Sequence, residues 1–167
     1  MLEKPPVTSS SIPSAHFTLH GQIIRGKQLG RLLGFPTANI AYEDNTKPEA
    51  TILPPDGVYI AIARIDGECE QHTAILNQGR HPTAPEGSPA VEAHLLDYDG
   101  GELYGRHLTL EYQVFLRPEQ TFPSLEALKE QLEKDREKAR RWAETHQQAF
   151  IPIHDQSYST RTEASLL

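Results

Sequence analysis

The chain has 167 residues, 37% of them hydrophobic, and a formal net charge of -7 from 16 basic and 23 acidic side chains. That length and apolar content suit one compact domain, and the acidic balance excludes a general nucleic-acid binder, because phosphate backbones demand clustered Lys and Arg. No apolar run is long enough to cross a membrane, no apolar h-region follows Met1, and a lone Cys69 permits neither an internal disulfide nor a multi-cysteine zinc site. A cytoplasmic monomer with no membrane or nucleic-acid partner is expected.

Residues 1–15, rich in Pro and Ser, read as a flexible lead, followed by a folded domain over 16–148. HFTLHGQII alternates Phe17, Leu19 and then Ile23, which predicts a half-buried strand. GVYIAIARI alternates Val58, Ile60 and Ile62, and Asp66-Gly67 turns the chain into a return strand, CEQHTAIL. Two more strands, AVEAHLL and HLTLEYQVFL, flank the turn-rich DYDGGELYG. DYDGGE opens like a calcium loop but lacks the remaining ligand positions, so it reads as a hairpin turn. Strands this short would expose apolar edges unless the sheet closed, which predicts a small, mostly antiparallel barrel.

The pattern changes at Phe122. In PSLEALKEQLEKDREKARRWAETH, Leu125, Leu128, Leu132, Ala139 and Trp142 recur at helical spacing. Ser124 is positioned as an N-cap, Glu126 lies near the positive end of the helix, and Lys138, Arg140 and Arg141 lie toward the negative end. Trp142 reads as a packing residue, and residues 149–167 read as a flexible tail.

Two stretches can carry chemistry. In RGKQLGRLLGFPTANI, Gly26, Gly30 and Gly34 allow a loop whose backbone N–H groups approach an anion, with Lys27 and Arg31 adding positive charge. It is neither a Walker A motif nor a dinucleotide fingerprint, and a solvated glycine-rich turn is the plain alternative. Pro36 then stiffens the entry to Thr37-Ala38-Asn39, where an extended backbone would put Thr37 and Asn39 on one side. Two neutral oxygens there suit a magnesium ion that arrives with substrate phosphates; equally, they could satisfy neighbouring backbone groups. In AVEAHLLDYDG, Val91, Ala93 and Leu95 share a face and Glu92 and His94 the other. Glu92, a carboxylate inside an apolar strand, is a candidate general base for a hydroxyl attacking phosphorus, or else a solvated outer residue. His94 reads as structural or exposed. No histidine metal spacing and no Gly-x-Ser-x-Gly elbow occurs.

GRLLGFPTANI, GVY, NQGRHPT, VEAHLLDYDG, LYGR and LRPEQTFPSLEALKEQLEKD, in this order, resemble the riboflavin kinase (flavokinase) family over residues 17–145. The resemblance implies a mainly β fold, a six-stranded antiparallel Greek-key barrel with one long C-terminal helix packed on it. It also implies transfer of the ATP γ-phosphoryl group to the ribityl 5′-hydroxyl of riboflavin, giving FMN and ADP with magnesium. By position, Thr37 and Asn39 correspond to magnesium and phosphate ligands and Glu92 to the catalytic base. Gly26, Lys27, Gly30, Arg31 and Gly34 fall in the nucleotide-covering loop. Arg117 falls in the flavin-side segment, with a structural charge beside the helix as its alternative. In NQGRHPT, Gln78 replaces an apolar residue and His81 an arginine, departures that would retune ligand binding. They also motivate a second reading, a catalytically silent flavin- or nucleotide-binding module. Bifunctional relatives carry an adenylyltransferase domain before the kinase; with only about fifteen residues ahead of the first strand, no FAD synthesis is expected.

Overall fold

A computed structural model describes residues 17–25, 33–42, 53–79 and 90–146. Both tails expected to be flexible lie outside these residues. Six strands appear in chain order: β1 (Thr18–Ile24), β2 (Ala38–Ala41), β3 (Gly57–Ile65), β4 (Gln71–Gly79), β5 (Ala90–Leu95) and β6 (His107–Arg117). They close into a barrel in the order β1-β2-β5-β4-β3-β6, with every neighbouring pair antiparallel. The non-sequential pairs β2–β5 and β3–β6 give the Greek-key path and leave no edge strand exposed.

The alternation in the sequence decides which face turns inward. Leu19 and Ile23, Ala38 and Ile40, Leu76, Val91 and Ala93 all point into one buried cluster. So few strands leave a narrow interior, and alanines fill its waist: Ala61, Ala63, Ala74 and Ala93 are all at most 1% exposed. Gly21 belongs to the same economy of space, because a Cβ there would come within 2.7 Å of Ala41 O and Ile40 Cγ2. Asp66-Gly67 makes the β3–β4 hairpin as predicted, with Gly67 at φ 85° and Glu68 N–H donating to Ile65 O at 3.0 Å.

The segment between β5 and β6 is not a hairpin. β5 pairs with β2 and β4, whereas β6 pairs with β1 and β3, so residues 96–106 cross one end of the barrel. Asp97 (φ 53°) and Gly105 (φ 81°) supply the bends. Turn chemistry is the same for a hairpin and for a crossing; closure of the barrel selects the partner.

The helix α1 (Leu125–His146) is capped as expected, with Ala127 N–H donating to Ser124 Oγ at 3.1 Å. Its Ala139 and Trp142 pack with Val58, Ile60, Ile75 and Leu96 on the outer face of β3 and β4. Leu125, predicted to pack, is 54% exposed because it sits in the first turn, beyond that contact. Trp142 packs as expected and also stacks on His146 with ring centroids 4.4 Å apart.

Gln78 faces inward and is 1% exposed. Its Oε1 accepts from Tyr112 Oη at 2.7 Å, and its Nε2 donates to Pro54 O. Burial holds the Tyr112 phenol well above its ordinary pKa, so at neutral pH it is an O–H donor. The polar residue therefore closes one end of the barrel as a satisfied pair, and its neighbours are core groups, not groups of the outer face.

Candidate active site

Strand register brings the singled-out residues together. Asn39 pairs with Glu92 across β2 and β5, and Glu92 pairs with Asn77 across β5 and β4. Ala38, Ala93 and Leu76 face the core, so the alternate residues Asn39, Glu92 and Asn77 form a row on the outer face, each partly exposed. Leu96 N–H donates to Thr73 O at 2.8 Å, which by ladder alternation makes Glu92–Asn77 a hydrogen-bonded pair. On the other side, Ile23 N–H donates to Arg106 O at 2.8 Å, which turns the backbone of Ile24 toward Asn39. Asn39–Glu92 is then a non-hydrogen-bonded pair, the kind whose side chains stand closest, with Cα atoms about 4.5 Å apart. A carboxylate thus lies between two neutral amides, each able to donate to it or to a ligand oxygen.

The approach to this row is fixed by packing. Phe35 is 2% exposed, and its ring meets His94 edge-on at 5.5 Å between centroids. The Arg136 guanidinium of α1 lies over Phe35 at 4.9 Å. His94 Nδ1 lies 2.8 Å from Pro36 O. A carbonyl only accepts, so Nδ1 carries the proton and donates. Burial pushes the His94 imidazole below its ordinary pKa; the Pro36 carbonyl and Asp97 oppose that, and Arg136 and Arg140 reinforce it. His94 is therefore a partly buried anchor of the Pro36 turn. Gly34, just upstream, has φ 82° with open space around its Cβ position, so backbone conformation, not crowding, requires glycine there.

Thr37 immediately precedes β2, beside a cleft of about 610 Å³. One wall is Pro36-Thr37-Ala38 and the other is the crossing segment from Tyr98 to Tyr104, with Ala93 and Leu95 between them. Tyr98 is braced from behind by Gly100, where a Cβ would fall 2.3 Å from the phenol, and by His72, edge-on at 5.1 Å. Arg25 lies over the Tyr104 ring at 4.7 Å and pairs with Glu102 at 3.2 Å, placing a cation at the rim. The cleft is mainly apolar, with Thr37 as a hydroxyl on its wall.

Arg117 stands apart from that cleft. Its Nε and Nη2 bond Asp135 Oδ2 of α1 at 2.9 and 2.8 Å, and Asp135 Oδ1 accepts from Gln131 at 2.9 Å. Asp135 is fully buried, so the pair ties β6 to the helix. Arg117 also lies 5.8 Å from the Phe122 ring centroid. Gly26, Lys27, Gly30 and Arg31, and likewise His81, lie outside the described residues. Two contributors escaped the sequence reading. Asn77 could have been found from its parity, opposite to Leu76 and Gln78 on β4, whereas the tie from His94 to Pro36 spans 58 positions and leaves no local mark.

Comparison with known proteins places this geometry. Residues 13–143 match the family described as Flavokinase: Riboflavin kinase. The bifunctional riboflavin kinase/FMN adenylyltransferase of Bacillus subtilis is 35% identical over 130 residues, covering 75% of this chain and 38% of the relative. That of Pseudomonas fluorescens is 39% identical over 120 residues, covering 71% of this chain and 36% of the relative. The chain thus spans well under half the length of these curated relatives. The crystal structure of riboflavin kinase from Trypanosoma brucei superposes with a TM-score of 0.59 at 21% identity, covering 88% of this chain and 89% of that one, a likeness of fold. With the family match extending over most of its length, the chain belongs to the riboflavin kinase family.

Proposed function

We propose that the protein is a riboflavin kinase that transfers the γ-phosphoryl group of magnesium-ATP to the ribityl 5′-hydroxyl of riboflavin, giving FMN and ADP. The observation that carries this reading is the Asn39–Glu92–Asn77 row, one carboxylate between two amides, adjoining a cleft that Thr37 lines. Glu92 accepts the hydroxyl proton as the oxygen-to-phosphorus bond forms and the bond to the ADP oxygen breaks. Asn39 and Asn77 orient the carboxylate and the incoming hydroxyl, so that attack starts from a near-reactive geometry.

Thr37 and Asn39 offer hard, neutral oxygens that fit magnesium. Bound there, magnesium supplies charge neutralisation at the phosphate oxygens. The cleft between Pro36-Thr37-Ala38 and the Tyr98–Tyr104 crossing has a mainly apolar lining that suits a planar base. Gly26, Lys27, Gly30, Arg31 and Gly34 then act as the cover over the phosphates, and the Arg117 segment as the flavin side. Both substrates are soluble, and a cytoplasmic monomer suffices for the reaction.

The Gln78 departure does not favour a silent module, because its amide is engaged inside the barrel. The test is incubation of the purified protein with riboflavin and magnesium-ATP, with separation of the flavins by chromatography. FMN is the expected product; flavin binding without FMN refutes the kinase and supports the silent module.

A further inference from the structure

We infer that His94 is a positioning residue for the nucleotide-side wall: its Nδ1–H holds the Pro36 carbonyl and so fixes the backbone of Thr37-Ala38-Asn39 before ligand arrives. This rests on the kinase reading for its consequence in catalysis, and on geometry alone for its consequence in the free protein.

Pro36 has no N–H and a fixed φ, so its carbonyl is the one backbone hydrogen-bonding group this residue offers, two positions before β2 begins. β2 is four residues long and short of ladder partners at that end: its pairing with β5 starts at Ala38. Thr37 is therefore outside the ladder, although it lines the cleft and lies two residues from Asn39. The bond at 2.8 Å from His94, two residues along β5 from Glu92 and on the same face, supplies the missing tie. His94 is in turn held edge-on by Phe35, and Phe35 is covered by Arg136. The segment carrying Thr37 is thus clamped between β5 and α1, and its position is registered to Glu92 by two residues of one strand. His94 does not touch the reacting atoms in this arrangement; it acts through Pro36.

The experiment compares the wild-type chain with His94→Leu, which keeps apolar volume but removes the donor, and His94→Asn, whose amide N–H occupies the position of Nδ1. Amide hydrogen exchange over residues 37–40 is measured without ligand, and KM for magnesium-ATP, KM for riboflavin and kcat are measured with both substrates. Losing one partly buried hydrogen bond corresponds to about tenfold. His94→Leu is therefore expected to speed exchange at 37–40 and raise KM for magnesium-ATP by roughly that factor, with KM for riboflavin changed less than about twofold. His94→Asn returns both to within about threefold of wild type. If Leu prevents folding, His94→Gln replaces it, since its amide reaches the position of Nε2 and not of Nδ1. Equal behaviour of the donor-bearing and donor-lacking variants, or equal changes in both KM values, overturns the assignment. A wild-type chain that makes no FMN refutes the kinase reading instead, and the exchange comparison then decides the role of His94 by itself.

Discussion

Removing the carboxylate of Asp135 should cost far more than removing a surface charge, because of what it leaves behind. Asp135 is 0% and Arg117 12% exposed by side chain, so neither group relies on water. Asp135→Ala deletes three charge-assisted hydrogen bonds, at 2.9, 2.8 and 2.9 Å, and leaves the guanidinium, among the described residues, the Pro118 carbonyl at 3.1 Å and the Phe122 ring. Breaking one side of a buried pair costs about 3–5 kcal/mol; since Arg117 retains a route to solvent, the lower end, about 3 kcal/mol, applies. With a urea slope of roughly 2 kcal/mol per molar, the unfolding midpoint falls by about 1.5 M. Urea titration followed by Trp142 fluorescence and far-ultraviolet circular dichroism reads it. The double variant Arg117→Met with Asp135→Leu removes both charges and should regain all but about 1 kcal/mol. A loss below about 1 kcal/mol for Asp135→Ala would refute the reasoning, placing the pair with solvated surface bridges and leaving Arg117 free to engage a ligand.

Four further outcomes follow from the same structure. Glu92→Gln should lower kcat by about 100-fold or more while both KM values stay within a few-fold, the signature of a lost general base, read by steady-state FMN production. Thr37→Val and Asn39→Leu should raise the magnesium concentration needed for half-maximal ATP binding, measured by titration calorimetry; unchanged magnesium dependence removes them from the metal shell. Gln78→Leu strands the Tyr112 hydroxyl and the Pro54 carbonyl and should cost about 2–4 kcal/mol in urea unfolding, of which added Tyr112→Phe recovers about 1–2 kcal/mol. The pH dependence of stability should carry a His94 component of definite sign. Its folded pKa is depressed, so the unfolded chain takes up the proton more readily; the contribution is fully present above the unfolded value of about 6.5 and is lost as pH falls through it toward the folded value. The gap in unfolding midpoint between wild type and His94→Asn should therefore shrink or reverse between about pH 8 and about pH 5, and a constant gap contradicts the burial of a neutral imidazole.

Local signals wrote most of the barrel into the sequence. β1 and β5 were legible because period-two alternation marks a sheet with one face in a core, and Asp66-Gly67 because its positive φ has a residue signature; in β3 the alternating Val58 and Ile60 lie under the helix while Tyr59, Ala61 and Ala63 face the barrel interior, so that strand is buried on both faces. Glu92 was legible as a charge inside an apolar strand. The crossing at 96–106 was not, since glycines bend the chain identically whether the next strand returns beside the last or passes over the barrel end. The setting of Gln78 was hidden for a related reason: its partner Tyr112 lies 34 positions away on β6, and nothing local to the glutamine marks that pairing. Asn77 and His94 acquire meaning only from register and from a contact between distant segments.

Glu92 and Leu95 lie on one six-residue strand, the first facing outward in the polar row and the second lining the cleft. Three residues of extended chain span about 10 Å, so the separation between the cleft wall and the outward-facing carboxylate is a covalent length. β5 works as a ruler ruled on both faces, flanked by β2 and β4 and unable to slip by one residue without turning Glu92 into the core. The spacing between cleft and carboxylate is then a property of the folded barrel itself, fixed for as long as the register of a single strand is kept.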